Sequence, residues 1–220
     1  MSTFPIDPTT TAVVSIDMHR GHLDPAVATM PLPAERCAPL LERTRALFEA
    51  VRSVGVPIVH VVTTYRDEAE ISSSPIWLAK SKDASATRRN ALRHNLEGGP
   101  GTELMPGLHR AGEPLLTTKK RYSSFLGTEL DWLLRSRLNA DTLILVGVNT
   151  NTCVLCAVFE ACNRDYRVIV ASDCVDTMDG PDLHSFALQT ISVSLGWTWN
   201  NASIAAALGA SSRSTLAGSF

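Results

Sequence analysis

The sequence lacks three features that mark large classes of protein: a paired cysteine framework, a cluster of basic residues and a long apolar run. Its five cysteines are an odd number without regular spacing, which argues against a disulfide-held secreted fold. No apolar run approaches the ~18 residues of a membrane-spanning helix, and the N-terminus has no basic segment followed by an apolar one. We therefore expect an intracellular, cytoplasmic protein with free thiols.

The sequence also lacks an excess of charge of either sign. Twenty Lys and Arg residues face 22 Asp and Glu residues, which gives a formal net charge of −2. Basic residues cluster only in the short runs 88–89 and 119–121, so neither nucleic acid nor a membrane surface is expected as a partner. The 220 residues, of which 45% are hydrophobic, are enough for one domain with a full core, and we expect a single domain over residues 1–220.

Apolar runs alternate with segments of helical period along the chain. This alternation predicts an α/β fold, a doubly wound and mostly parallel six-stranded sheet with helices on both faces. The predicted strands cover residues 12–17, 57–63, 115–120, 143–148 and 167–172, with an edge strand within 196–204. The predicted helices cover residues 34–54, 129–137, 154–164 and 183–195, and one more helix follows the edge strand.

Two segments do not follow this alternation. Residues 67–114 are rich in serine, glycine and charge, and they are too polar for a core run and too long for an ordinary connection. We expect them to form a covering insertion of loop or helix near the functional site. The tail at 210–220 is small and polar, and we expect it to be mobile or to make subunit contacts.

The segment from Leu143 to Val154 carries the strongest functional signal, since a buried strand runs into a polar turn and a helix start. Cys153 is expected in the first helical turn, where free N–H groups and the helix dipole favour a thiolate. The other cysteines have the pattern of small buried hydrophobic residues. Cys156 leaves an alternative open, because a C-x-x-C at a helix start is also typical of dithiol redox proteins.

Three chemically complementary residues follow predicted strands. Asp17, Lys119 and Cys153 each stand at or just after the end of an apolar run, and in open parallel sheets ligands bind at the carboxyl ends of the strands. A carboxylate can take the thiol proton and return it to a leaving group, and an ammonium group lowers the thiol pKa. Each residue alone has a structural explanation, as a turn former, a surface charge or a core thiol. Their joint placement predicts a catalytic site.

His19 and His22 form an H-x-x-H pair directly after Asp17. No acidic ligand at a fixed spacing accompanies them, so the pair is weak evidence for a metal site. We expect no metal and no cofactor.

The chain resembles the isochorismatase-like cysteine hydrolases, which include nicotinamidases, N-carbamoylsarcosine amidases and ureidoacrylate amidohydrolases. The likeness covers most of residues 10–205 and lies in VVSIDMHRGHLD, GVPIVHVVTTYR, KKRYSSFLGTELDWLLRSR and LILVGVNTNTCVLCAVFEACNRDYRVIVASDC. The resemblance implies the isochorismatase-like fold, with Asp17 as general base, Lys119 as the triad lysine and Cys153 as nucleophile. The K-x-R-Y-S pattern of members selects Lys119 rather than Lys120.

The resemblance has two further implications for the turn before the nucleophile. It implies a non-proline cis peptide bond between Val148 and Asn149. It also implies that the backbone N–H groups of Asn149 and Cys153 form an oxyanion hole.

Two departures from the family pattern bear on the substrate. Where many members read D-x-Q-x-D-F, this chain has His19 and His22 in place of the glutamine and the phenylalanine. Nicotinamidases carry an Asp-x-His metal motif after the second strand, and the corresponding TTYRDEAE has no histidine. The second departure argues against nicotinamidase activity.

The retained Cys153 favours cleavage of a C–N bond, because members that hydrolyse the isochorismate vinyl ether use acid catalysis without a thiol. We expect a small amide, ureido or N-carbamoyl substrate, a Cys153 thioester and its hydrolysis by water that Asp17 activates. The N-carbamoylsarcosine amidase and ureidoacrylate branch is the nearest. The alternatives are a vinyl ether hydrolase, a nicotinamidase, a dithiol redox protein using Cys153 and Cys156, and a non-catalytic binding module.

Substrate-binding residues are predicted from their position near the site and from their chemistry. Aromatic side chains form pocket walls, and arginine binds carboxylates through paired hydrogen bonds. The candidates are Arg20, Tyr65, Arg66, Trp77, Tyr122, Phe125 and Asn149. By analogy with the family we also expect a homodimer or homotetramer.

Overall fold

A parallel sheet forms the centre of the protein, of which a computed structural model describes residues 4–217, with side chains up to residue 209. The strands are β1 (Thr11–Ile16), β2 (Ile58–Thr63), β3 (Leu115–Lys119), β4 (Thr142–Val148), β5 (Arg167–Asp176) and β6 (Trp197–Trp199). They lie in the order β3-β2-β1-β4-β5-β6, and every neighbouring pair is parallel. The predicted α/β class and six-stranded sheet are confirmed.

Helices connect the strands. Within residues 4–217 they are α1 (Arg20–Leu23), α2 (Ala34–Ser53), α3 (Glu68–Ser72), α4 (Pro75–Ser81), α5 (Leu130–Trp132), α6 (Leu155–Cys162), α7 (Pro181–Thr190) and α8 (Asn201–Ala217). Three π-helical turns, Leu133–Arg137, Thr150–Val154 and Ile191–Leu195, adjoin α5, α6 and α7. Short 3₁₀ turns lie at Pro8–Thr10, Ala91–Arg93 and Pro100–Thr102. None of the helices in the described part of the chain is long and apolar enough to cross a bilayer.

The sheet has an apolar core on each face. Every residue of β1, β2 and β4 is buried, which explains why these strands read as continuous apolar runs. Side chains alternate between the faces: Val13 and Ile144 pack with α2 and α8, whereas Val14 and Leu145 pack with α6. The predicted helix layers on both faces are therefore confirmed.

The strand order reverses between β1 and β4, and the two strands lie very close together there. Gly147 has a φ of +126°, and a Cβ atom on it would lie 1.9 Å from the carbonyl oxygen of Ile16. Only glycine fits this contact without displacing the backbone. In open α/β sheets such a reversal opens a crevice at the carboxyl ends of the strands, which here are followed by Asp17 and Cys153.

The two segments outside the alternation take different forms. Residues 67–114 contain α3, α4 and two 3₁₀ turns, and some of their side chains reach the carboxyl edge of the sheet. In the predicted tail, α8 continues to Ala217. The side chains after residue 209 and the whole of residues 218–220 lie outside the described part, so mobility of the tail stays a prediction.

Candidate active site

Asp17 is fully buried at the end of β1 and is held from several sides. Its φ of +53° turns the chain sharply, and its N–H donates to the carbonyl of Val61. Oδ1 accepts hydrogen bonds from the N–H and the hydroxyl of Thr63 at 2.8 and 2.9 Å, and Oδ2 accepts one from Lys119 Nζ at 2.7 Å. Burial alone would raise the pKa of Asp17, but the charge of Lys119 and the contact with His19 hold it well below its usual range. The carboxyl group is therefore ionised.

Lys119 joins the acid to the thiol. It is the last residue of β3, is 1% exposed, and lies opposite Thr63 in the sheet register. Its Nζ donates to Asp17 and to the Thr63 hydroxyl, and it lies 3.4 Å from the Sγ atom of Cys153. Burial would lower the pKa of Lys119, but Asp17 and Cys153 raise it above its ordinary value. The site thus contains a buried ammonium group that contacts both partners.

Cys153 lies in the π-helical turn between β4 and α6, as the strand, turn and helix pattern predicted. Its side chain is buried, and burial raises the pKa of the thiol to about 12; Lys119 lowers this pKa and Asp17 raises it. Burial and the neighbouring carboxylate therefore oppose the thiolate that the helix start and the ammonium group favour.

Cys156 is not part of this contact network. Within the described residues all five cysteines are free thiols. Cys156 is half-buried, does not line the cavity described below, and has a pKa that burial raises.

The turn before the nucleophile is tied to the loop after β5. The peptide bond between Val148 and Asn149 is cis. The Oδ1 atom of Asn149 accepts the N–H of Met178 at 2.9 Å, and its carbonyl accepts the N–H groups of Thr152 and Val154, each at 3.1 Å. Asn149 therefore holds the start of the helical turn against the neighbouring loop.

A cavity opens onto the three residues. Its walls combine aromatic rings, two guanidinium groups and two histidines. The lining residues are Asp17, His22, Met30, Thr63, Tyr65, Trp77, Arg88, His94, Lys119, Arg121, Tyr122, Asn149, Cys153 and Met178.

Four predicted substrate-binding residues line this cavity: Tyr65, Trp77, Tyr122 and Asn149. The Trp77 ring meets the rings of Tyr65 and Tyr122 edge to face, with centroids 5.8 and 5.7 Å apart. The Nε1–H group of Trp77 donates to the Tyr122 hydroxyl at 3.2 Å. These contacts fix one aromatic wall of the cavity.

The structure corrects three other substrate-binding predictions. Arg20 forms ion pairs with Asp24 and Glu103 and does not line the cavity. The Arg66 side chain is 72% exposed and pairs with Glu70, one helical turn further on. Phe125 is a core residue whose ring lies 6.3 Å from that of Tyr166. Local ion pairs and core packing account for all three.

Arg88 is a cavity residue that the sequence analysis missed. It comes from the polar 67–114 segment, and its Nη1 and Nη2 atoms donate to the two carboxylate oxygens of Asp179, each at 2.8 Å. Asp179 also accepts a hydrogen bond from Asn151 Nδ2 at 2.9 Å. The pair fastens the insertion to the loop and turn beside Cys153. No periodicity in the segment signals this role.

Thr63, Arg121 and His94 were missed as well. Thr63 could have been found, because it ends β2 at the same sheet edge as Asp17. Arg121 comes two residues after Lys119, and its guanidinium group lies 5.0 Å from the Trp77 ring. His94 lies far along the chain but meets His19 and His22, and ligand atoms of the three lie within 4.8 Å of one another.

Comparisons with known proteins agree with this architecture. The isochorismatase domain model matches residues 11–203. The ureidoacrylate amidohydrolase RutB of Methylobacterium radiotolerans is 28% identical over 216 residues, which cover 94% of this chain and 83% of that protein.

Two solved structures extend the comparison. A cysteine hydrolase from Pseudomonas syringae pv. phaseolicola 1448A shares the fold with a TM-score of 0.80 at 24% identity, over 96% of this chain and 98% of that one. The N-carbamoylsarcosine amidase of Thermoplasma acidophilum is 26% identical with a TM-score of 0.66, over 87% and 96% of the two chains. Since the domain model spans most of the sequence, the chain belongs to the isochorismatase domain family.

Proposed function

We propose that this protein is a cysteine-dependent hydrolase that cleaves a C–N bond in a small amide, ureido or N-carbamoyl compound. The observation that carries the proposal is the contact series from Asp17 to Lys119 to Cys153, with distances of 2.7 and 3.4 Å, at the floor of a small cavity. The similarity to a ureidoacrylate amidohydrolase and an N-carbamoylsarcosine amidase supports the same bond type.

In the proposed first step, Cys153 Sγ attacks the carbonyl carbon while its proton passes to Asp17. The pKa of the thiol is raised to about 12 and that of Asp17 is lowered, so proton transfer before attack is strongly uphill. The transfer is therefore coupled to formation of the C–S bond, which removes the negative charge from sulfur as it develops. Lys119 balances charge throughout, because its ammonium group contacts both the donor and the acceptor of the proton.

In the proposed second step, the tetrahedral intermediate collapses. The backbone N–H groups of Asn149 and Cys153 are the proposed oxyanion donors, and loss of one such donor costs about 10²-fold or more in rate. Asp17 returns its proton to the leaving nitrogen, which departs as an amine or ammonia and leaves a thioester from an amide or a thiocarbamate from a ureido compound. Water then gives a proton to Asp17 and attacks the carbonyl carbon of this intermediate, and the departing Cys153 sulfur regains the proton.

The cavity favours a substrate with an acidic group. Arg88 and Arg121 both line it, and Arg88 is only 15% exposed at its side chain. Asp179 and Thr87 accept three of the five N–H donors of Arg88, which leaves two for a substrate carboxylate. We therefore propose ureido acids and N-carbamoyl amino acids as the substrate class, with the carboxylate toward Arg88.

The experiment measures ammonia release from ureido acids, N-carbamoyl amino acids and plain carboxamides, each beside its methyl ester where it has a carboxylate. We expect turnover of acidic members, with their esters much poorer substrates. Turnover of the esters at equal kcat/KM would contradict the acidic class, and vinyl ether hydrolysis with no C–N cleavage would contradict the function itself.

A matched pair of variants tests the role of Arg88. Arg88→Met removes a charge-assisted contact worth about 1.5–3 kcal/mol, or roughly 10- to 150-fold, from acidic substrates. We expect this loss mainly in KM for substrates with a carboxylate, in addition to a smaller loss on all substrates because Asp179 is left buried without its partner. Asp179→Asn keeps the guanidinium group but weakens its anchor, so it should have the smaller effect; equal losses on acids and esters in Arg88→Met would show a structural role only.

A further inference from the structure

We propose that His19, His22 and His94 together bind a transition-metal ion of the zinc class beside the Asp17 carboxylate. This inference goes beyond the proposed hydrolase activity and does not depend on it. The ligand set differs from the Asp-x-His motif of nicotinamidases, which has no counterpart here, since two ligands follow β1 and the third comes from the 67–114 segment.

The three imidazole rings pack against one another in the interior. Their side chains are nearly or fully buried. Ring centroids are 4.8 Å apart for His19 and His22, 4.6 Å for His22 and His94, and 5.5 Å for His19 and His94. One ligand atom from each residue lies within 4.8 Å of the others. Zinc–nitrogen bonds of about 2.0–2.1 Å in a tetrahedral site place such atoms about 3.4 Å apart. The rings of His19 and His22 are stacked at an interplanar angle of 19°, so the rings must rotate to bring three lone pairs to one point.

The hydrogen bonds around the cluster orient two rings for ligation. His22 Nδ1 lies 2.6 Å from the carbonyl oxygen of Met30, which can only accept, so Nδ1 carries the proton and Nε2 keeps its lone pair. His94 Nδ1 lies 2.8 Å from the hydroxyl of Thr29, which can accept in the same way. An imidazole whose outer nitrogen donates to an oxygen is the usual arrangement of a metal-ligating histidine.

The third ring lies beside the catalytic carboxylate. His19 Nε2 is 2.8 Å from the Asn95 side-chain nitrogen and 3.6 Å from Asp17 Oδ1. The Asn95 amide also donates to the carbonyl of Thr63 at 2.8 Å. His19 therefore connects the cluster to the same groups that hold Asp17, and an ion there would lie next to the reacting atoms.

The chemistry of the cluster selects the kind of ion. Three imidazole ligands suit zinc, cobalt, nickel or copper, whereas calcium and magnesium require oxygen ligands. Three protein ligands leave a tetrahedral ion one open position, as in catalytic zinc sites. His22 and His94 both line the cavity with Cys153, so an ion can enter there and present its open position to a substrate oxygen or nitrogen.

The test is metal binding by the full chain after chelator treatment and dialysis, with Co²⁺ and Zn²⁺ as the probes. We expect one cobalt per chain, visible ligand-field bands of a four-coordinate site and no sulfur-to-cobalt charge-transfer band. Zinc should displace the cobalt and raise the Tm. Absence of stoichiometric binding, or a thiolate charge-transfer band that shows ligation by Cys153, would overturn the proposal.

Variants locate the site. His94→Phe and His22→Phe keep a ring of similar size, and each should weaken cobalt affinity by about 100-fold or more, since even outer contacts of a metal ligand are worth 10- to 100-fold. The control is His109→Ala, which changes an exposed histidine outside the cluster. Unchanged affinity in both phenylalanine variants would refute the site. Should these variants misfold, X-ray absorption of the cobalt-loaded wild type decides, since fewer than three imidazole ligands contradicts the proposal.

Discussion

Replacing Asp17 with asparagine is expected to make the Cys153 thiol more reactive toward an alkylating reagent while it abolishes turnover. In the structure the thiol has a pKa raised to about 12, first by burial, and Asp17 contributes to the increase whereas Lys119 opposes it. Removing the carboxylate charge leaves the ammonium group unopposed beside the sulfur. The same substitution removes the group that receives and returns the catalytic proton.

The size of the effect follows from the geometry. Lys119 Nζ lies 2.7 Å from Asp17 Oδ2 and 3.4 Å from Cys153 Sγ, so the negative charge lies about 6 Å or less from the sulfur. At an effective dielectric constant of about 20, two unit charges at this distance interact by about 3 kcal/mol, or about two pKa units. Thiolate becomes roughly 100-fold more abundant, and its lower basicity reduces the gain in alkylation rate to about 10-fold.

The assay follows iodoacetamide alkylation at pH 8 and locates the label by peptide mass spectrometry. Cys156 serves as the internal reference, because its pKa is also raised by burial but it lies outside the contact network. Cys153→Ala in the Asp17→Asn background gives the alkylation rate of the other thiols. An unchanged or slower Cys153 rate in Asp17→Asn would refute the electrostatic account of the site.

Two predictions concern the scaffold. Gly147→Ala is expected to lower the free energy of unfolding by about 2–3 kcal/mol more than Gly112→Ala does. Both glycines have positive φ, but the new methyl group meets the Ile16 carbonyl at position 147 and open space at position 112. Equal losses in urea titrations would contradict the close approach of β1 and β4. His60 is buried beside Glu113, and burial lowers the pKa of His60 from 6.5 to about 4. The stability that neutral His60 contributes is therefore present above pH 6.5 and is lost as pH falls toward 4. His60→Phe should reduce the slope of the free energy of unfolding against pH between pH 4 and 6.5 by up to about 1.4 kcal/mol per pH unit. An unchanged slope would show that His60 is protonated in the folded protein.

Local pattern was enough to predict most of the framework. Strands buried on both faces appear in the sequence as continuous apolar runs. Ligands bind at the carboxyl ends of parallel strands, and this rule predicted Asp17, Lys119 and Cys153 as one candidate site. The contacts between these residues depend on the strand order. Lys119 can reach across β2 to Asp17 because β3 lies beside β2 and β2 beside β1.

Features that depend on distant parts of the chain were not predictable. The strand predicted at 167–172 continues to Asp176, because a shift in register between β4 and β5 lets pairing resume after two half-buried polar residues. Arg88 finds its partner Asp179 far along the chain. His94 meets His19 and His22 only after the 67–114 segment folds back, so the H-x-x-H pair lacked its third member in the sequence.

The most direct test of the central claim is turnover by Cys153→Ala, measured beside wild type and Cys156→Ser on the substrate that the panel identifies. A nucleophilic role predicts a loss of about 10⁴-fold or more in kcat with an unchanged circular dichroism spectrum. It also predicts near-wild-type activity in Cys156→Ser, and a substrate-derived acyl group on Cys153 in rapidly quenched wild type. Turnover that survives in Cys153→Ala would contradict the nucleophile assignment and the mechanism built on it.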